Sequence, residues 1–436
     1  MEWYTLAAIV FGALLICLAA GMPIVFCLGL VSLGAMFFLV DPITIRAMGI
    51  IAFTLGTNFV LIAVPLFILM AEVVMFSGLS EGGFDVINKW LGRLPGGLAL
   101  SSIGGCAVFA AVTGSSVANT ATIGTVAIPE MMKAGYDKKL ATGSIAAGGA
   151  LGILIPPSLL MIVYAVVTEQ SLGHLFIGGV FPGILLAGLF MLYIAARSLI
   201  NPKIAPRPAR VSWKDRILSL YKILPVVGLI FLVLGTIYTG ITTPTEAAAV
   251  GAFGAVMIAT AYRRLTVRRM VGAMIKASET TCFVFFIMVA GSIMAFALSA
   301  LEIPQGLVRW VIDLGLSRWI IMIAINVLYL ILGCIMDPAS IVVLTVPILF
   351  PIIIALGFDP IWFGVIVTIN MEMANITPPL GFNLFVMKGI SPPDVTLGDV
   401  IRGAMPFVIC QALGLALCMI FPQLILWLPS KMLKLV

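Results

Sequence analysis

Charge is what this chain lacks most: of 436 residues only 10% are Asp, Glu, Lys or Arg, while 62% are apolar. Soluble domains carry about 25% charged residues, so a soluble globular class is excluded. Histidine is almost missing. The single residue His174 rules out an HExxH zinc site, and its place at the outer end of an expected crossing reads as interfacial rather than catalytic. No lysine is followed by Ser or Thr, so the chain has no Walker A loop and shows no sign of ATP as its energy source. The seven cysteines (Cys17, Cys27, Cys106, Cys282, Cys334, Cys410, Cys418) all fall in apolar segments without CxxC spacing. They read as buried helix-packing thiols, not as disulfides or metal ligands. A net charge of +6 without any basic–aromatic stripe points to orientation signals in loops rather than to nucleic acid. Met1-Glu2-Trp3-Tyr4 lacks the basic n-region of a cleavable signal, so the first helix is expected to stay.

What the chain has in abundance is apolar runs, each near the ~20 residues that span a bilayer. The fold class expected is an all-α polytopic membrane protein. Crossings are expected near 4–20, 23–40, 51–76, 139–167 and 173–197, then 223–241, 244–261, 277–300, 361–386 and 403–428. Two further stretches, about 98–131 and 320–353, are too long for one helix. They are interrupted by Thr113-Gly114-Ser115-Ser116 and by Met336-Asp337-Pro338, which reads as two re-entrant helical hairpins.

The halves repeat one another. Gly152-Ile153-Leu154-Ile155-Pro156-Pro157 aligns with Ala374-Asn375-Ile376-Thr377-Pro378-Pro379 at an offset of 222, and Pro129 with Pro351 at the same offset. Pro23 pairs with Pro244 at 221, and Pro182 with Pro406 at 224. The expected organisation is therefore a first repeat at 1–200, a basic linker at 201–222 and a second repeat at 223–436. Five crossings per repeat is an odd number, so the second repeat is inverted relative to the first, as in secondary transporters. The basic residues fit that topology. With the N-terminus outside, Lys89, Arg93, Lys133, Lys138, Lys139, Arg197, Lys203, Arg207, Arg210, Lys214, Arg216, Lys222, Arg263, Arg264, Arg268, Arg269, Lys276, Lys388 and Arg402 face the cytoplasm, 19 of the 24. Arg46, Arg309, Arg318, Lys431 and Lys434 remain outside, and both termini are expected on the periplasmic side. Residues 41–50 and 262–276 link the second and third crossings of each half; the mixed 262–276 stretch reads either as an interfacial helix or as an ordinary basic connector.

Two polar islands interrupt the apolar background. The first runs from Thr113 to Thr122 and faces the break at Gly152–Pro157; the second, Asp337-Pro338-Ala339-Ser340, faces Asn375–Pro379. Hairpin tips and prolines free backbone carbonyls, which with Ser and Asn oxygens suit a hard, weakly held cation such as sodium. Half-helix N-termini at the same tips suit an anionic substrate, which makes Ser115, Thr120, Ser340, Asn375 and Thr377 substrate-proximal candidates. The contrary reading takes these Ser and Thr as glue between helices. Among the intramembrane acids Glu72, Glu246, Glu279 and Glu372, Glu246 reads as part of a capped helix start and Glu372 as a neighbour of the second island.

At these residues the chain resembles the large membrane subunit of tripartite ATP-independent periplasmic (TRAP) transporters. The stretches that carry the likeness are Phe109–Ala118, Ala121–Gly124, Ile128–Met131, Ala146–Ser158, Thr243–Ala248 and Ile376-Thr377-Pro378-Pro379 with Gly381. The resemblance implies an elevator-type fold of the ion transporter superfamily and sodium-coupled uptake of a small organic acid across a prokaryotic inner membrane. C4-dicarboxylates and sialic acid are the substrate types in view. It implies two partners: a small four-helix membrane subunit, expected as a separate chain, and a periplasmic substrate-binding protein. It implies no organic cofactor and no ATP, only Na+ as coupling ion, and no enzymatic activity. Carried over residue by residue, one sodium site falls on Ser116, Asn119, Gly152, Ile155 and Pro157, with Ser115 beside it. The repeat-related site falls on Asp337, Ala374, Thr377 and Pro379, with Asn375 beside it. Ile341 stands opposite Asn119, so the two sites need not be equivalent. The rival readings are a stand-alone sodium/anion symporter that needs no binding protein, and a channel or intramembrane enzyme.

Overall fold

A computed structural model of the chain describes residues 2–79, 81–206 and 212–432. Arg207, Arg210 and Lys434, counted above among the basic residues, lie outside the described residues. The first half contains α1 (Trp3–Ala19), α2 (Ile24–Ala35), α3 (Arg46–Gly56), α4 (Ala63–Ser77), α5 (Glu81–Leu91), α6 (Gly97–Thr113), α7 (Ser116–Lys133), α8 (Lys138–Ala150), α9 (Leu159–Thr168) and α10 (Leu172–Ile200). The second contains α11 (Trp213–Ser219), α12 (Leu224–Tyr238), α13 (Pro244–Ala261), α14 (Val267–Ala300), α15 (Ile303–Asp313), α16 (Arg318–Gly333), α17 (Pro338–Ala355), α18 (Pro360–Ala374), α19 (Phe382–Ile390), α20 (Leu397–Ile420) and α21 (Gln423–Met432).

Six single helices among the described residues are long and apolar enough to cross a membrane, and α11–α12 makes a seventh if its 52° bend lies within one span. Among the remaining expected crossings, 4–20 and 23–40 are shorter single helices, and 139–167 and 361–386 are broken at the tandem prolines. The expected crossing at 51–76 is split at Thr57-Asn58, where the Asn58 side chain accepts from Val60 N and starts a new turn. On its N-terminal side α3 already begins at Arg46, inside the expected 41–50 link. Residues 267–276 likewise form no separate interfacial element: they open α14, a continuous helix of 34 residues capped by Thr266. Thr243 and Glu246 form the reciprocal capping box expected at the start of α13.

The duplicated prolines divide into three kinds, of which Pro23 and Pro244 stand at the starts of α2 and α13. Pro156-Pro157 and Pro378-Pro379 lie between helices and both have cis peptide bonds, while Pro129, Pro182, Pro351 and Pro406 lie inside continuous helices. Helices packed by neighbours at membrane depth tolerate interior proline because those neighbours satisfy the freed carbonyl. A tandem pair removes two successive donors, and there the helix stops.

Packing gathers the helices into two bodies that meet where α14 lies on α17 and α4 on α6. α4 lies against α13 and α14, α14 against α2, and α12 against α13. The other body is built around the hairpins: α6 and α7 both pack on α8, α16 packs on α18, and α10 and α20 close the bundle. The inner hairpin arms exchange partners between halves, α7 lying on α19 and α17 on α9. Lipid tails are as apolar as leucine, so such contacts depend on close van der Waals approach between small residues. The α8–α20 contact shows this. A Cβ on Gly143 would overlap the Gly403 backbone, and one on Gly403 would overlap Lys139 O.

Candidate functional site

The first hairpin turns at Gly114, whose φ of +60° is left-handed, and α7 starts with Ser115 as N-cap, its hydroxyl accepting from Ala118 N. A side chain at Gly114 would press on Pro157 O at 2.7 Å, and one at Gly152 on Ser115 O at 2.6 Å. The hairpin tip and the first helix break are thus in backbone contact, as the opposition of the two motifs requires. Asn119, fully buried, donates its Nδ2 to Cys106 O (3.0 Å) and Gly149 O (3.3 Å). Those two bonds fix the amide orientation and leave Oδ1 buried without a partner; Thr120 Oγ1, also fully buried, is unpartnered too. A buried acceptor without a donor is costly, so these two oxygens are the unpartnered polar atoms of α7 behind the first tip.

The second tip is organised differently. Asp337 caps α17 by accepting from Ser340 N (3.0 Å) and Ser340 Oγ (2.5 Å), so both carboxylate oxygens are engaged. Cys334 Sγ donates to Pro378 O (3.4 Å), and a Cβ on Gly333 would overlap the Ala374 methyl, which joins this tip to the second break. Thr377 donates its hydroxyl back to Met373 O (2.7 Å) and so keeps free acceptor capacity. Among the described residues no hydrogen bond joins Asp337 to Thr377.

Asn383, two residues beyond Gly381, was not singled out from the sequence, yet it ties the halves together. Its Oδ1 accepts from Ser116 Oγ (2.7 Å), its Nδ2 donates to Ala146 O (3.0 Å), and its backbone N donates to Asn375 O (3.1 Å). Asn375 Nδ2 also reaches Ser116 Oγ at 3.4 Å. Asn375 therefore sits against the first hairpin as well as beside its own break. The signal in the sequence for Asn383 is its place as a lone amide in the first turn of an apolar helix just after Gly381.

Both tips open into one cavity of about 220 Å³, lined among others by Ser115, Ser116, Asp337, Ala339, Asn375 and Thr280. Of the substrate-proximal candidates, Ser115 and Asn375 line it. Thr120, Ser340 and Thr377 do not; Thr120 and Ser340 are fully buried behind it. Thr280 belongs to α14, so one wall comes from the other body. Among the lining residues Asp337 is the one charged side chain and none is basic.

Comparison with known proteins agrees with this architecture. Residues 11–424 match the family described as tripartite ATP-independent periplasmic transporter, DctM component. The C4-dicarboxylate TRAP transporter large permease protein DctM of Pseudomonas aeruginosa is 37% identical over 395 residues, covering 90% of this chain and 91% of that one. The isethionate TRAP transporter permease protein DctMQ of Oleidesulfovibrio alaskensis is 35% identical over 394 residues, covering 88% of this chain and 60% of that one. In fold the chain is similar to the YdaH transporter of Alcanivorax borkumensis, with a TM-score of 0.62 over 88% of this chain and 90% of that one at 16% identity. This multi-pass membrane chain belongs to the DctM-component family of tripartite ATP-independent periplasmic transporters and is a large permease.

Proposed function

We propose that the chain is the permease of a sodium-driven importer of a small organic acid, supplied by a periplasmic binding protein and assembled with a small four-helix membrane subunit in the inner membrane. The observation that carries this reading is the charge of the central cavity: both hairpin tips open into it, and it holds Asp337 but no basic side chain. An organic anion in such a cavity needs a countercharge. The N-termini of α7 and α17 supply partial positive charge, and co-bound sodium supplies the rest. Asn119 Oδ1 with the carbonyls of Gly152, Ile155 and Pro157, and Ser115 and Ser116 at the tip, form the first cation site in this proposal. Asp337, Ala374, Asn375, Thr377 and Pro379 form the second. Because Asp337 is engaged by Ser340, the second site is the weaker of the two until the tip rearranges.

The exchange of inner hairpin arms between halves supports an inverted pair of repeats. In the cycle proposed, sodium closes the tips over the substrate, and the hairpin body slides against α2, α4, α13 and α14, parting the cavity from Thr280. C4-dicarboxylates and related small acids are the substrate class, in line with what the P. aeruginosa relative's name states of that protein. The fused DctMQ relative supports a small-subunit partner. Both termini lie on the periplasmic side in this reading.

The test is uptake in proteoliposomes carrying this chain and its small subunit. Asn119→Ala and Thr377→Ala should abolish sodium-dependent accumulation while assembly survives, and omission of the binding protein should abolish uptake by the unaltered complex. Accumulation without sodium, or undiminished in both variants, would sink the sodium sites. Accumulation without the binding protein would favour a stand-alone symporter.

A further inference from the structure

A second polar cavity, of about 230 Å³, lies far from the hairpin tips, at the end of the bundle where α8 and α20 begin and α10 ends. Lys139 of α8, Arg197 of α10 and Arg402 of α20 line it, together with Tyr193 and Asp137. Three cations thus approach one space from three separate helices. Among the described residues none of the three forms an ion pair.

The nearby acids keep their charge but make their hydrogen bonds elsewhere and so balance the cations only in part. Asp137 lines the cavity but accepts from Lys139 N (3.1 Å) and Leu140 N (3.0 Å) as the N-cap of α8. Asp399 accepts from Thr396 N and Oγ in the capping box of α20, and Asp394 pairs with Lys138 at 2.6 Å. The backbone holds the cations in place: the glycine contact between Gly143 and Gly403 locks α8 to α20 beside Lys139 and Arg402. Asp137 offsets one of the three charges, and the positive charge left over in one cavity is repulsive. An oxyanion would relieve that repulsion, and two guanidinium forks with a phenol hydroxyl match its oxygens.

We propose that this cavity is a binding site for a phosphate-type oxyanion, either free phosphate or the headgroup of an anionic phospholipid. Donors converging from three helices suit a tetrahedral group better than a planar carboxylate. The residues lie at the basic end of the molecule, where polybasic pockets between membrane helices take lipid headgroups. The site is independent of the sodium and substrate sites and stands or falls without them.

The experiment uses the full purified chain. Its melting temperature is measured in detergent with sodium phosphate against sodium chloride at equal sodium and ionic strength, and lipid retention is read by native mass spectrometry after reconstitution with phosphatidylglycerol or phosphatidylcholine. Stabilisation by phosphate beyond chloride, lost in Arg197→Gln/Arg402→Gln and kept in Lys133→Gln, supports a free-anion site. Retention of phosphatidylglycerol alone, lost in the same double variant, supports a headgroup site. Should the double variant fail to fold, the unaltered chain still decides: no phosphate stabilisation and no preference for phosphatidylglycerol overturns the proposal. So does either effect persisting undiminished in a folded double variant.

Discussion

Asn383→Ala is the most informative single change, because that side chain joins the first hairpin to the second broken helix without lining the cavity. It removes the acceptor of the Ser116 hydroxyl at 2.7 Å and the donor to Ala146 O at 3.0 Å, both buried. A buried polar group left without its partner costs about 1–3 kcal/mol; that applies to the Ser116 hydroxyl, while Ala146 O keeps its backbone bond within α8. Asn375 Nδ2 at 3.4 Å donates to Ser116 Oγ and so does not replace the lost acceptor. If about 2–3 kcal/mol of that falls on the closed tip, apparent sodium affinity drops by about 30- to 150-fold. The melting temperature should fall by several degrees at the same time. The assay is sodium titration of uptake in proteoliposomes, with Asn383→Leu alongside to separate lost volume from lost polarity. Leucine restores volume but leaves the Ser116 hydroxyl without its acceptor, so it should resemble alanine. Wild-type sodium affinity and melting temperature in Asn383→Ala would refute the bridge.

Other consequences follow from single contacts. Gly143→Ala should prevent assembly of the bundle, because the methyl would overlap the Gly403 backbone, while Gly389→Ala, with nothing within 4 Å, should leave yield and melting temperature unchanged; size-exclusion profiles of the two variants check this. Thr280→Val should change the KM for uptake without lowering the melting temperature, since it alters one cavity wall from the opposite body and leaves the hairpins intact; an unchanged KM across several organic acids would remove Thr280 from the substrate path. Lys138 beside Asp394 holds that carboxyl below its ordinary range. A depressed folded value means the contribution is present above the unfolded range near ~3.9 and is lost as pH falls through the lower folded value. Asp394→Asn should therefore flatten a small acid-side fall in melting temperature, small because the pair is exposed; a profile identical to wild type would count against it.

The all-helical class and the broken segments were legible because they depend on local chemistry. Apolar runs name the helices, tandem prolines name the breaks at 156–157 and 378–379, and Thr243 to Glu246 names its own cap. The split at Thr57-Asn58 was not legible, since one asparagine in an apolar run carries little weight until its side chain is seen to cap the next turn. The unbroken course of α14 was hidden for the converse reason. Its basic first turns look like a connector, but Thr266 caps them into the helix that follows. In the site, the pairing of tip with break was readable from the repeat. That Thr120 and Ser340 lie behind the cavity was not, because which face of a half-helix turns inward depends on its neighbours.

By itself the sequence determined that this is a helical membrane chain whose proline pattern recurs at offsets of 221 to 224, with polar interruptions in each half and a strong likeness to one transporter family. These are properties of composition, spacing and local hydrogen bonding. Only the tertiary structure decided that Asn383 bonds Ser116 across 267 positions, that the second tip's carboxylate is occupied by its own cap, and that one cavity gathers both tips and a wall of α14. Each depends on two segments distant in sequence meeting at a set distance and orientation, and no local pattern encodes that.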